Sequence, residues 1–125
     1  MEKVFKVLIG FICGVMTLAW LRIMISPMAV AERLAMNPDG PFGLSNIRSF
    51  VGAYVLCLAV FSFFTLKTGD KKWLLVLLCL FVGSAIGRTC GLVMDGFHQQ
   101  IVGGIVLEIF LIAITLAAYR KLPSK

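Results

Sequence analysis

Three arginines and one glutamate interrupt sequence that is otherwise apolar: Arg22, Arg48, Arg88 and Glu108. A charge near the bilayer centre costs about 2.5–3.5 kcal/mol on insertion scales, so such residues turn toward protein and pair with one another. A guanidinium fork and a carboxylate match in shape as well as in charge. Three cations against one anion leave positive charge over, which suits a carboxylate, a phosphate or a lipid headgroup. The single acid carries a second chemistry, because a carboxylate inside a membrane is a site for proton or cation coupling.

Spacing says which arginine meets Glu108. If the last two apolar stretches form a hairpin that turns near His98, positions 88 and 108 lie ten residues either side of it. At the helical rise per residue both then sit at matching depth, roughly 12 Å in. An Arg88–Glu108 pair across these two helices is predicted. Glycines adjoin the charges: Gly52 is one turn from Arg48, Gly104 one turn from Glu108, and Gly87 is next to Arg88. They are expected to give the long side chains room. Arg22, at the end of the first stretch, either joins this pocket or extends to the interface. Asp95 with Gly96 is expected to form the hairpin turn and cap the last helix rather than act as a catalytic acid.

A metal reading competes. Met24, Met28, Met36 and Met94 fall on the same side as the arginines, Met94 and His98 are four residues apart, and Cys90 is one turn earlier. Thioether, imidazole and thiol together suit Cu(I), which makes Met94 and His98 the candidate ligands. A single His and interface-loving methionines argue for no metal. Nucleophile-elbow, zinc-protease and phosphate-loop motifs are all lacking, and one His leaves few nucleophile–base pairs. The sequence thus leans against an enzyme without excluding one, and it calls for no cofactor.

Composition dictates the elements that must position these residues. Of the 125 residues 60% are hydrophobic and 14% charged, with a mean hydropathy of +0.99. Soluble domains are nearer 45–50% apolar and about 25% charged. Four stretches, 4–25, 46–66, 73–94 and 101–119, have the length and apolarity needed to cross hydrocarbon. The expected fold is all-α: an integral membrane antiparallel four-helix bundle, one domain over residues 1–125, with no room for a soluble catalytic domain.

Charge orients it. Lys3, Lys6, Lys67, Lys71, Lys72, Arg120, Lys121 and Lys125 flank one side of the stretches, whereas Arg33 alone lies in the loops of the other. The positive-inside rule then predicts a bacterial inner-membrane protein with both termini inside. The net charge of +6 sits at helix ends, where it attracts anionic lipid, and not on an aromatic-interleaved surface, so nucleic acid is not an expected partner. Lys3 and Lys6, the apolar run and Ala29-Val30-Ala31 have the form of a cleaved signal. The run's length, and Arg22 ahead of the supposed cut, predict that it is retained. Cys13, Cys57, Cys79 and Cys90 lie inside spans without a Cys-x-x-Cys pair and read as small apolar filler.

The one sizeable extramembrane element is the outer loop, 26–45. Ser26 and Pro27 are expected to start a short interfacial helix over 28–36. The turn formers from Asn37 to Gly43 follow without a period, and Ser45 is expected to cap the second span. Gly10 and Gly14, then Gly83, Gly87 and Gly91, and the Gly103-Gly104 pair suggest close helix approach.

Asn37-Pro38-Asp39-Gly40, Arg48-x-x-x-Gly52, Gly87-Arg88, Asp95-Gly96 and Glu108 together resemble a family of small bacterial four-span membrane proteins defined as a domain of unknown function. The resemblance covers most of the chain and implies this fold, with Arg48, Gly52, Arg88 and Glu108 as the polar positions. It implies no activity. Small multidrug transporters carry their essential acid in the first helix, where this chain has only Arg22. Fluoride channels place a Phe-Ser-Thr-Phe break in the third helix, while Phe61-Ser62-Phe63-Phe64 lies in the second. The functional expectation is a non-enzymatic binding or accessory module whose outward-facing cationic pocket holds an anionic lipid, a small amphiphile or a partner helix. The alternative is a small oligomeric transporter or channel that uses Glu108. The expected partners are membrane lipids, with a partner membrane protein or a second copy of the chain beside them.

Overall fold

The structure, a computed structural model, describes residues 2–121. It contains α1 (Glu2–Ile25), α2 (Pro27–Arg33), α3 (Gly40–Thr68), α4 (Lys72–Met94) and α5 (Gln99–Lys121). All but α2 are long and apolar enough to cross a membrane. Only 11–28% of each span's most apolar window is buried against the rest of the chain. Apolar side chains therefore cover the outside as well as the inside, as expected where the solvent is hydrocarbon.

The four long helices alternate in direction. α1 packs most extensively on α3 and α4 on α5, α3 joins the two pairs, and α1 meets α5 only sparsely. The main core lies toward the end that carries the basic flanks, where Ile9, Leu58, Leu74, Leu77, Phe81 and Ala118 meet. Ser62, Thr65 and Thr115 are buried there at no polar cost, since each hydroxyl donates to the carbonyl four residues earlier at 2.7–2.8 Å. This end is closed by a short turn. Gly69 takes the left-handed conformation (φ 68°) that ends α3, and its N–H bonds the Thr65 carbonyl at 2.9 Å. Asp70 then accepts from the Lys72 N–H at 2.9 Å and pairs with its ammonium at 2.8 Å. Trp73 stacks on Phe61 and Phe64 while Lys71 lies over Tyr119, the aromatic and basic girdle expected at an interface.

The opposite end is looser. A small cluster of Ile23, Ala31 and Ile47 ties α1, α2 and the start of α3 together, but the upper halves of α4 and α5 are not part of it. The short helix is Pro27–Arg33 and not 28–36; Ser26 holds the N-cap position but its side chain makes no capping bond. α2 ends in a six-to-one bond from the Met36 N–H to the Ala31 carbonyl at 2.8 Å, with Ala35 at φ 53° where glycine is usual.

Two further expectations differ from the structure. The stretch after Asp39 is helical from Gly40 onward and continuous with the second span, so Ser45 lies inside a helix and caps nothing. Pro41 fits that first turn because its missing N–H would have no partner there. Gly43 lets Pro38 approach, since a Cβ on it would stand 2.9 Å from Pro38 backbone. The second correction concerns the glycine stripe: a Cβ on Gly14, Gly83, Gly87 or Gly103 would meet nothing within 4 Å. Close approach occurs at Gly52 and Gly104 instead.

Candidate functional site

Glu108 is the most buried charge among the described residues, 7% exposed, and faces α4 from the middle of α5. Ser84 and Arg88, one turn apart on α4, reach it together. The Ser84 hydroxyl donates to Oε1, and Arg88 Nε donates to the same oxygen at 2.9 Å. Gly104, one turn before Glu108, is where the guanidinium crosses α5. A Cβ there would stand 2.9 Å from Nη1, 3.0 Å from Cζ and 3.1 Å from Nε. α3 adds Tyr54, whose hydroxyl donates to the Leu80 carbonyl at 3.2 Å and also lies in range of Ser84 and the ion pair. The second carboxylate oxygen, Oε2, is buried with no hydrogen-bond partner among the described residues. A buried acceptor left unmatched costs about 1–3 kcal/mol, which marks this spot as more than filler.

Arg88 bridges two environments. Its Nε is anchored on the buried acid, yet 42% of its side chain is exposed against 9% for Glu108. Above it opens a cavity of about 670 Å³ between α2, α4 and α5, lined by Arg33, Arg88, Asp95, His98, Gln100 and Gly104 among others. A neighbouring cavity of about 280 Å³ shares Arg33 and Leu34 and reaches Arg22, Ile23 and Val51. The larger cavity is the vestibule: α2, α4 and α5 line it, Arg88 reaches it, and the smaller cavity adjoins it at Arg33 and Leu34.

The predicted Arg88–Glu108 pair is present, and Gly104 gives Arg88 room as expected. The other expected pocket residues are placed elsewhere. Arg48 sits in a π turn, Ile47–Val51, and its Nε donates to the Met24 carbonyl at 3.2 Å; it satisfies the end of α1 instead of facing Glu108. The space at Gly52 is taken by the Met24 methyl, 2.6 Å from where a Cβ would be. Gly87 makes no room for Arg88, being open to the outside. Arg22 is exposed and lines the side cavity with Arg33, away from the acid. Asp95 ends α4 on the vestibule rim, and the first turn of α5 is capped by His98, whose Nδ1 accepts the Gln100 N–H at 3.3 Å. Asp95 therefore does not cap the last helix. Met94 is 82% exposed at the end of α4, and the described residues contain no group of three or more His, Cys, Asp or Glu able to hold a metal.

Sequence reasoning missed Ser84, Tyr54 and Arg33. Ser84 had a signal, since it lies one turn before Arg88 on the same face. Tyr54 also had one, as a phenol well inside a span with an O–H that needs a partner. Arg33 had none, because nothing in its loop says that α2 folds back over the bundle.

Fold and site together define a membrane-type helical bundle in which a buried glutamate pairs with a half-exposed arginine beside a cavity of mixed lining. The chain belongs to the family described as Domain of unknown function (DUF4345), whose model matches residues 4–119. No curated protein and no solved structure matches it.

Proposed function

We propose that this protein is a non-enzymatic binding or accessory module of the bacterial inner membrane, with both termini inside, that takes an anionic headgroup into its outer vestibule. One observation carries the reading: Arg88 is fixed from below through Nε, while its remaining N–H groups have no partner among the described residues and adjoin the cavity. A guanidinium so held loses little freedom on accepting a carboxylate or phosphate. Arg33 supplies a second cation on the opposite wall, and Gln100 a neutral donor. Asp95 on the rim tempers the charge, which favours a headgroup that also presents a donor. The basic flanks at the other end support the orientation.

Native mass spectrometry of protein extracted from phosphatidylglycerol-containing membranes tests this. Retained anionic lipid that is lost in Arg88→Gln is the expected result; equal retention by the variant refutes it.

The unmatched Oε2 of Glu108 favours a second reading, a coupled transporter, because a buried carboxylate with a free oxygen is a place to take up a cation or proton. Proteoliposome flux decides between them. Flux abolished by Glu108→Gln selects transport, whereas retained lipid without flux selects binding.

A further inference from the structure

We propose that the seam between α1 and α5 seats the alkyl chain of a single-chain anionic amphiphile whose head lies in the vestibule. The inference rests on the headgroup reading above and adds where the chain goes and which class of ligand follows.

The seam is the weakest helix–helix contact that the bundle uses to close on itself. It holds a groove of about 260 Å³, lined by apolar side chains alone, with Phe11, Val15 and Met16 on α1 facing Leu107, Phe110 and Ile114 on α5. Phe11, Leu107 and Phe110 are 70, 58 and 61% exposed, so the protein itself does not fill it. Its position identifies the occupant. Gly104, under the Arg88 guanidinium, lines the vestibule, and Leu107, within the next turn of the same helix, lines the groove. From Leu107 to Ile114 is seven residues, roughly 10 Å of helix, enough for much of an alkyl chain within one leaflet of about 15 Å. A head fixed at Arg88 and Arg33 thus starts a chain about one turn above a slot of matching polarity. A soluble anion would leave the slot unused, and a two-chain lipid would place only one chain in it.

The test uses the full chain in phosphatidylcholine vesicles and a lysophosphatidate carrying a diazirine near the end of its chain. Photolysis and peptide mapping are expected to concentrate label on the seam residues of α1 and α5, with little on the outward face of α3. Leu107→Trp, which fills the slot from an exposed position, is expected to cut seam labelling about tenfold. Leu107→Ala, which leaves the slot open, is expected to keep it. Arg88→Gln is expected to cut total capture by about tenfold, the worth of a charge-assisted contact. Label spread evenly around the bundle, with capture still dependent on Arg88, overturns the seat and leaves the headgroup reading standing. Capture indifferent to Arg88→Gln and to Arg33→Gln overturns both. Seam residues already shielded by a second copy of the chain, in the absence of probe, overturn the seat in favour of a dimer.

Discussion

Glu108 is affordable only because three helices converge on it. Ser84 and Arg88 answer one oxygen from α4, and Tyr54 closes the side toward α3. Removing Arg88 leaves a buried acid without its counter-charge, whereas removing Glu108 frees a cation that already reaches water. The two losses are therefore unequal. Arg88→Gln is expected to cost about 2 kcal/mol, below the 3–5 kcal/mol of a fully buried pair because Arg88 is partly exposed. Glu108→Gln is expected to cost less, and a double-mutant cycle on thermal unfolding in detergent is expected to give a coupling of about 1 kcal/mol or more. Glycine positions separate space from propensity. Gly104→Ala brings a methyl against the guanidinium, so Arg88 must shift on Glu108, and the variant is expected to be less stable than Gly87→Ala by about 1 kcal/mol. Gly87→Ala meets open space and is expected to be neutral or to gain up to about 1 kcal/mol from helix propensity. Melting curves of the two variants side by side check this.

At the scale of the element, short irregular pieces decide where charges point. The π turn at Ile47–Val51 inserts an extra residue, which rotates what precedes it by about 100° relative to a continuous helix. Arg48 thereby reaches the Met24 carbonyl and closes the end of α1. This is why counting from Gly52 misplaced it. Depth along a helix is linear in residue number, so Arg88 and Glu108 were legible from the sequence. Azimuth past a π turn is not, and neither is the path of a loop helix, which hid Arg33. At the end of α2, Ala35 occupies the left-handed conformation that costs an L-residue about 1–2 kcal/mol. Ala35→Gly is expected to raise the unfolding temperature, by somewhat less than that strain because glycine also loosens the unfolded chain. At the other end, the side-chain and backbone hydrogen bonds with Lys72 hold the Asp70 carboxyl below its usual value. A lowered folded pKa means the contribution is present above the unfolded value, about 3.9, and is lost as pH falls through the folded one. Unfolding temperature followed from pH 6 to pH 2 is expected to fall less on the acid side in Asp70→Asn than in the parent.

Taken whole, the molecule is tight at one end and open at the other. Aromatic stacking, satisfied hydroxyls and the Gly69 turn close the basic end, while α2 bridges the far end without filling it. Binary composition made the four-helix architecture legible, since length and apolarity leave few alternatives in a membrane. The asymmetry was not, because it depends on which faces meet and not on how many apolar residues each helix holds. Arg88, with Arg33 beside the same cavity, presents charge to a ligand, whereas Arg48 is spent on the Met24 carbonyl. The most direct measurement is the affinity for phosphatidylglycerol titrated into phosphatidylcholine nanodiscs, compared among the parent chain, Arg88→Gln and Arg48→Gln. The expected result is a loss of about tenfold for Arg88→Gln, with Arg48→Gln within about twofold of the parent and lower only in stability. Equal losses in both variants would reduce the site to unspecific surface charge and contradict the account.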